Sequence, residues 1–370
     1  MCAKKSLEVK SPVGNPAFDV GFTKKVSNPV RCGVIGLGRI GWAHHCSIIR
    51  QHGGFELGAV CDLEKSRREE ALAANPGCVA YGSLKDILKD DSIELLVVST
   101  QSVDHEDMAV QALKAGKHVL CEKPSALSAK GIKRMIAAAR KAGRKLTMHH
   151  NYRLNPELLY VREVIESGAI GKPFRIKRRV QGFGRRNDWQ TLLKYGGGMT
   201  GNWGIHLVDQ CLQLLDSPVV EVWGVTRQVF NPGDAEDDIK AIIRCESGML
   251  ADIDMTSACA APEPSWVVLG SCGTLWLQAG KAHLKRFNPK KLPRVKVNDL
   301  HYSIDRKYGV VPEEVMPWEE REEEINPKGS YDTYYDNLYY ALRKGRPLLV
   351  EPESALLTYQ ILDKIKRNRC

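Results

Sequence analysis

No stretch of this chain approaches the run of apolar residues that a membrane-crossing helix needs, and Met1-Cys2-Ala3-Lys4-Lys5-Ser6 lacks the apolar core of a secretory signal. Both absences point to the cytoplasm, with no membrane partner. Cys-x-x-Cys pairs are missing as well. The 11 cysteines are scattered singly and no Cys/His cluster has zinc spacing, so free, mostly buried thiols are expected, with neither disulfides nor a metal. Internal repeats are also lacking. The surplus is positive charge, 54 Lys and Arg against 44 Asp and Glu. These cations are spread along the chain without a dense basic arm or an RNA-binding signature, so nucleic acid is not expected and anionic small molecules account for the excess.

At 370 residues the chain has room for two domains. Residues 1–28 carry Pro12, Gly14, Pro16 and Gly21 with little periodicity, and read as an extended arm. Over 29–150, short apolar strands alternate with helices of crossover length. That rhythm predicts an α/β fold, a doubly wound parallel sheet of Rossmann type. Over 151–370 the strands lengthen, alternate in polarity and meet at hairpin-like joints such as Glu246-Ser247-Gly248. An α+β domain with a large, mostly antiparallel open sheet is expected there. The segment from Lys281 to Pro327, with the acidic run Glu319 to Glu324, reads as an irregular, solvated excursion. Two helices should close the chain, Tyr331 to Arg343 and Glu353 to Lys366.

Gly36-Leu37-Gly38-Arg39-Ile40-Gly41 follows the first strand directly and opens a helix. Gly36 can make the tight turn, Gly38 admits a pyrophosphate to the backbone and Gly41 allows close helix–strand packing. Asp62 ends the next strand, where a carboxylate accepts hydrogen bonds from the ribose hydroxyls of NAD and would repel the phosphate of NADP. Arg39, Lys65, Arg67 and Arg68 nearby could still attract that phosphate. Further on, Val119-Leu120-Cys121-Glu122-Lys123-Pro124 sets Lys123 at the carboxyl end of an apolar strand, because proline cannot continue a paired central strand. Open α/β sheets bind their ligands at that edge.

Taken in order, the glycine turn, Ser99-Thr100-Gln101-Ser102-Val103-Asp104-His105, the Glu122-Lys123-Pro124 segment, and Gly196-Gly197-Gly198 ahead of Gly204-Ile205-His206 resemble the Gfo/Idh/MocA oxidoreductases over nearly the whole chain after the arm. The resemblance implies a nicotinamide-dependent dehydrogenase of sugars, sugar acids, glycosides or cyclic polyols, working as a homodimer or homotetramer through the C-terminal sheet. It implies that Lys123 and His206 handle the proton while hydride passes to the nicotinamide. Arg39, Ile40, Thr100, Gln101, His105 and Glu122 would join the glycines, Asp62 and Lys123 around the cofactor, although a structural role for His105 at a helix start fits equally well. Tyr152, Arg153, Asn202 and Asp209 would face the substrate.

Three departures from the family pattern matter: Asn202 replaces an aspartate, Gln101 a proline, and Gln190 the arginine often found after Asp-Trp. An uncharged Asn202 leaves His206 less basic and shifts proton transfer toward Lys123. It also leaves room for a redox-neutral NAD-dependent glycosidase, while the resemblance, whose family includes a regulator, offers a non-catalytic NAD-binding regulator as a third function, against which the retained Lys123 and His206 weigh. The strand Phe174 to Gln181 places Arg175, Lys177 and Arg179 on one face, which is either a solvated or subunit-facing surface or a cleft wall for an acidic sugar. Tyr331, Tyr335 and Tyr339 share a helical spacing and read more readily as packing than as sugar-stacking residues.

Overall fold

The computed structural model describes residues 21–292, 316–327 and 332–368, with single positions 294, 297, 299 and 306. The expected arm therefore lies outside the described residues over 1–20. Six short strands form the first sheet: β1 (Val30–Ile35), β2 (Phe55–Cys61), β3 (Val79–Tyr81), β4 (Leu95–Val98), β5 (His118–Cys121) and β6 (Leu146–Met148). All pair in parallel in the order β3-β2-β1-β4-β5-β6. Every residue of β4 is buried, because helices cover both faces of a parallel sheet. The order reverses on either side of β1, so the carboxyl ends of β1 and β4 diverge and open a crevice.

The helices begin and end where local chemistry allows. Ser128 caps the helix Ala129–Ala142 by accepting the Gly131 N–H, and Gly143 stops it in the left-handed region at φ 62°.

The second sheet runs in the order β14-β13-β12-β11-β7-β10-β9-β8, from β7 (Pro173–Gln181), β8 (Val219–Arg227), β9 (Asp238–Cys245), β10 (Leu250–Thr256), β11 (Trp266–Gly270), β12 (Gly273–Gln278), β13 (Lys281–Arg286) and β14 (Glu319–Glu324). Among the described residues only its β7–β10 pair is parallel. The acidic run is thus a strand and not an excursion. Its glutamates face the cations of β13, pairing Glu320 with Lys285 and Glu319 with Arg286. A run of like charge carries no strand signal of its own, because its basic complement lies on another strand, and the strand it forms is exposed almost throughout, as the charge predicts.

One face of this sheet is buried and the other is open. A single cross-strand row on the open face links Trp223, Ile242, Asp252, Lys177, Val267, Trp276, His283 and Glu322. The chain then returns to the first domain. Tyr334 donates to the Met148 carbonyl, Tyr335 meets His45 at 2.6 Å and Ser125 N–H donates to the Tyr359 hydroxyl, so the final helices Tyr334–Lys344 and Pro352–Lys366 brace the ends of β5 and β6. Tyr335 and Tyr339 are buried packing residues, whereas Tyr331 lies outside the described residues.

Candidate active site

A cavity of about 1000 Å³ opens at the carboxyl edge of the first sheet and extends to the start of the helix Ile205–Leu212. Gly36, Gly38, Arg39 and Ile40 form one wall with Asp62. A Cβ on Gly41 would lie 1.8 Å from the Gly36 carbonyl oxygen, so only glycine lets the helix start this close to the turn. A Cβ on Gly38 would meet nothing within 4 Å, and the backbone there is bare toward the cavity. Asp62 accepts the Leu37 N–H at 2.7 Å and the Glu64 N–H at 2.9 Å, which fixes its carboxylate beside the glycine turn. Arg67 approaches the same carboxylate at 3.5 Å. A bare turn at a helix start, with a fixed carboxylate beside it, suits the pyrophosphate and ribose of a dinucleotide. Thr100, Gln101 and His105 continue this wall.

Lys123 stands further in. Its Nζ donates to both the backbone oxygen and Oδ1 of Asn202, each at 3.0 Å. Burial lowers its pKa to about 8, with Arg39 and Arg186 pushing the same way and Glu122 opposing them. His206 lines the cavity too, and neither of its ring nitrogens has a hydrogen-bond partner among the described residues. Burial first, then Lys123 and His150, hold its pKa well below the ordinary value, so the imidazole is neutral. The cavity therefore presents one tunable amine and one neutral, open-ended imidazole.

Glu122 borders the cavity but its oxygens are already engaged. Oε2 accepts the Lys123 backbone N–H, while His45 Nε2 and His149 Nδ1 lie 3.0 and 2.6 Å from Oε1. Burial pushes this carboxyl up, yet the two imidazoles outweigh it and keep the group anionic. Glu122 thus orients Lys123 and a histidine cluster. His44, His45 and His149 offer ligand atoms within 4.8 Å of one another, a set that could hold a metal ion. The spacing along the chain hid the cluster, because its members come from the first helix and the end of β6. His105 holds the loop together: its ring nitrogens lie 2.8 Å from the Pro124 carbonyl oxygen and 3.1 Å from that of Thr100.

Four expected substrate residues do not line the cavity. Tyr152 is buried behind His206, with its ring stacked on the imidazole. Arg153 and Asp209 form a buried bidentate pair at 2.7 and 2.9 Å, tied to Thr358 and Ser354 of the last helix. Arg179 pairs with Glu263 and Asp252 on the side of β7 that faces away from the buried core, so the basic row belongs to the open sheet face and not to a cleft wall. Asn202 does line it. Residues missed by sequence reasoning include His44, His149 and Asn151. The tandem His149-His150-Asn151 at the end of a strand was the available signal, since the carboxyl edge of β6 belongs to the same crevice.

The oxidoreductase family with an NAD-binding Rossmann fold, Gfo/Idh/MocA, matches residues 30–150, and the Gfo/Idh/MocA C-terminal domain matches residues 158–276. The chain is 31% identical over 194 residues to an uncharacterized oxidoreductase of Schizosaccharomyces pombe, covering 51% of this chain and 53% of that protein. It thus spans about half the length of that relative. It is 28% identical over 230 residues to a myo-inositol 2-dehydrogenase of Thermotoga maritima, covering 61% and 68% of the two chains. The WlbA dehydrogenase from Bordetella pertussis, solved with NADH and UDP-GlcNAcA, shares the fold with a TM-score of 0.71 at 25% identity, over 92% of this chain and 96% of that one. With one profile falling on each of the two sheet domains, the chain belongs to the Gfo/Idh/MocA oxidoreductases, and its N-terminal domain is an NAD-binding Rossmann domain.

Proposed function

We propose that this protein is an NAD-dependent dehydrogenase that oxidises a secondary hydroxyl of a sugar, sugar acid, glycoside or cyclitol. One observation carries the reading: Lys123 and His206 line the same cavity as the glycine turn and Asp62. When bound, NAD supplies the acceptor for the hydride that leaves the carbinol carbon. Gly36 and Gly38 would seat its pyrophosphate, with Gly41 letting the helix start close behind the turn, and Asp62 would accept from the ribose hydroxyls. Lys123, as the neutral amine, takes the hydroxyl proton while the carbon–oxygen double bond forms. The hydride and the proton together account for the two hydrogens lost by the substrate. His206, neutral and with both nitrogens open, hydrogen-bonds a substrate hydroxyl and aims the reacting carbon. A relative named as an inositol dehydrogenase and a fold neighbour solved with a nucleotide sugar acid support a polyhydroxylated substrate. The tryptophan-bearing row on the open sheet face would receive a second copy of the chain, giving a homodimer or homotetramer.

The test is a panel of sugars, sugar acids, inositols and aryl glycosides offered to the purified full-length protein with NAD. Both nicotinamide reduction and aglycone release are followed. Steady reduction with one substrate class is expected. Aglycone release without reduction, or silence across the panel despite tight NAD binding, would overturn the reading.

A further inference from the structure

Two of the three family departures meet in space. Gln190 sits in the short turn Trp189–Thr191, where Asp188 Oδ1 accepts its backbone N–H at 3.2 Å. Its carbonyl oxygen accepts the Gly198 N–H at 2.9 Å, and a Cβ on Gly197 would lie 2.5 Å from that oxygen. The backbone of Gln190 is therefore pinned against the glycine loop. From there its side-chain Oε1 accepts the Asn202 Nδ2 at 3.1 Å. As the ammonium, Lys123 can only donate, so the end of the Asn202 carboxamide that faces it, 3.0 Å away, is then the oxygen. That leaves the NH₂ end toward Gln190, which must in turn present its own oxygen. The two amide orientations fix each other.

We propose that Gln190 is a positioning residue for Lys123: it holds the Asn202 carboxamide with its oxygen against the amine, so that residues 190 and 202 act as one neutral unit. Separate substitutions at either position would then be incomplete. The mechanistic value of the unit rests on the reading of Lys123 as the proton-handling group, but its effect on the amine does not. A hydrogen-bond acceptor favours the charged form of an amine, so releasing Asn202 should make Lys123 easier to deprotonate. The charged and titratable groups around Lys123 are Glu122, Arg39, Arg186 and His206, and Asp188 beside Gln190 is paired with Arg186. All are unchanged by substitution at 190.

The experiment is competitive acetylation of Lys123 with acetic anhydride across pH, read by peptide mass spectrometry on full-length protein, with no substrate required. Gln190→Met should move the Lys123 titration down by about half a unit or more. Gln190→Glu, which keeps an acceptor for Asn202, should return it to the wild-type position or above. In an Asn202→Ala background, Gln190→Met should add no further shift, because the connection is already cut. Retained NAD binding serves as the check on folding. If Gln190→Met does not fold, Gln190→Asn withdraws the acceptor by one methylene and must give the same downward shift. A titration unmoved by either variant, or moved equally in the Asn202→Ala background, overturns the proposal. Activity surviving Lys123→Met would instead sink the catalytic reading and leave the titration result standing.

Discussion

The imidazole of His206 lies against the phenol ring of Tyr152, with centroids 4.1 Å apart and planes 25° from parallel. The Tyr152 hydroxyl has no hydrogen-bond partner among the described residues, so the ring alone carries the contact. It follows that Tyr152→Phe should leave turnover close to wild type, whereas Tyr152→Ala should lower kcat by about tenfold as the imidazole loses its backing. His206→Ala should cost more, roughly 10²-fold or greater. NAD affinity should be unchanged in all three, as titration will show. Equal losses for Tyr152→Phe and Tyr152→Ala would mean that the hydroxyl acts directly.

Lys123 is expected to trade stability for chemistry. Its pKa in the folded protein is near 8, below its ordinary 10.5. The unfolded chain therefore binds more protons between those values, and stability rises with pH across that window. Below about pH 8 the full penalty of the buried cation is present. Lys123→Met should thus abolish turnover and also stabilise the protein at pH 7, by on the order of 1–3 kcal/mol after allowing for the lost hydrogen bonds to Asn202. Denaturant midpoints at pH 7 and pH 10 check this, since the advantage of Lys123→Met must shrink at the higher pH.

Asp62 should select the cofactor. Its carboxylate is fixed by the Leu37 and Glu64 N–H groups and lies 3.5 Å from Arg67. Asp62→Ser removes the charge that would repel a ribose phosphate and frees Arg67 to meet one. NADP affinity should rise relative to NAD by about tenfold or more, measured by binding titration. A ratio that stays constant would place the ribose elsewhere.

The strand–helix alternation and the glycine turn made the first sheet and its edge legible, because each parallel strand and crossover is a local pattern. Lys123, Asn202 and His206 stand out in the sequence for a related reason, Lys123 just before Pro124 and the other two just after Gly201 and Gly204, and the structure brings all three to one cavity. The ion pair that buries Arg153 and Asp209 was not legible, since it depends on the last helix arriving from almost 150 residues away. The basic row of β7 could not be assigned to a face either. Alternation gives two faces but does not say which one the helices cover.

Arg153 and Asp209 offer the sharpest separation of framework from chemistry. Burial pushes the Asp209 carboxyl up, but His150 and Arg153 outweigh it and hold the group far below the ordinary range. Its stabilising contribution is therefore present above about pH 4 and is lost as pH falls below that value. Asp209→Asn leaves the Arg153 guanidinium buried without its counter-charge, which should cost about 3–5 kcal/mol. Arg153→Met in the same chain should recover part of that loss, because the stranded charge is then gone as well. Thermal unfolding of the single and double variants reads both effects. The KM for the oxidised substrate should move by less than about twofold in any variant that still folds, since neither side chain reaches the cavity. A raised KM with an unchanged melting temperature would return Asp209 to the substrate site.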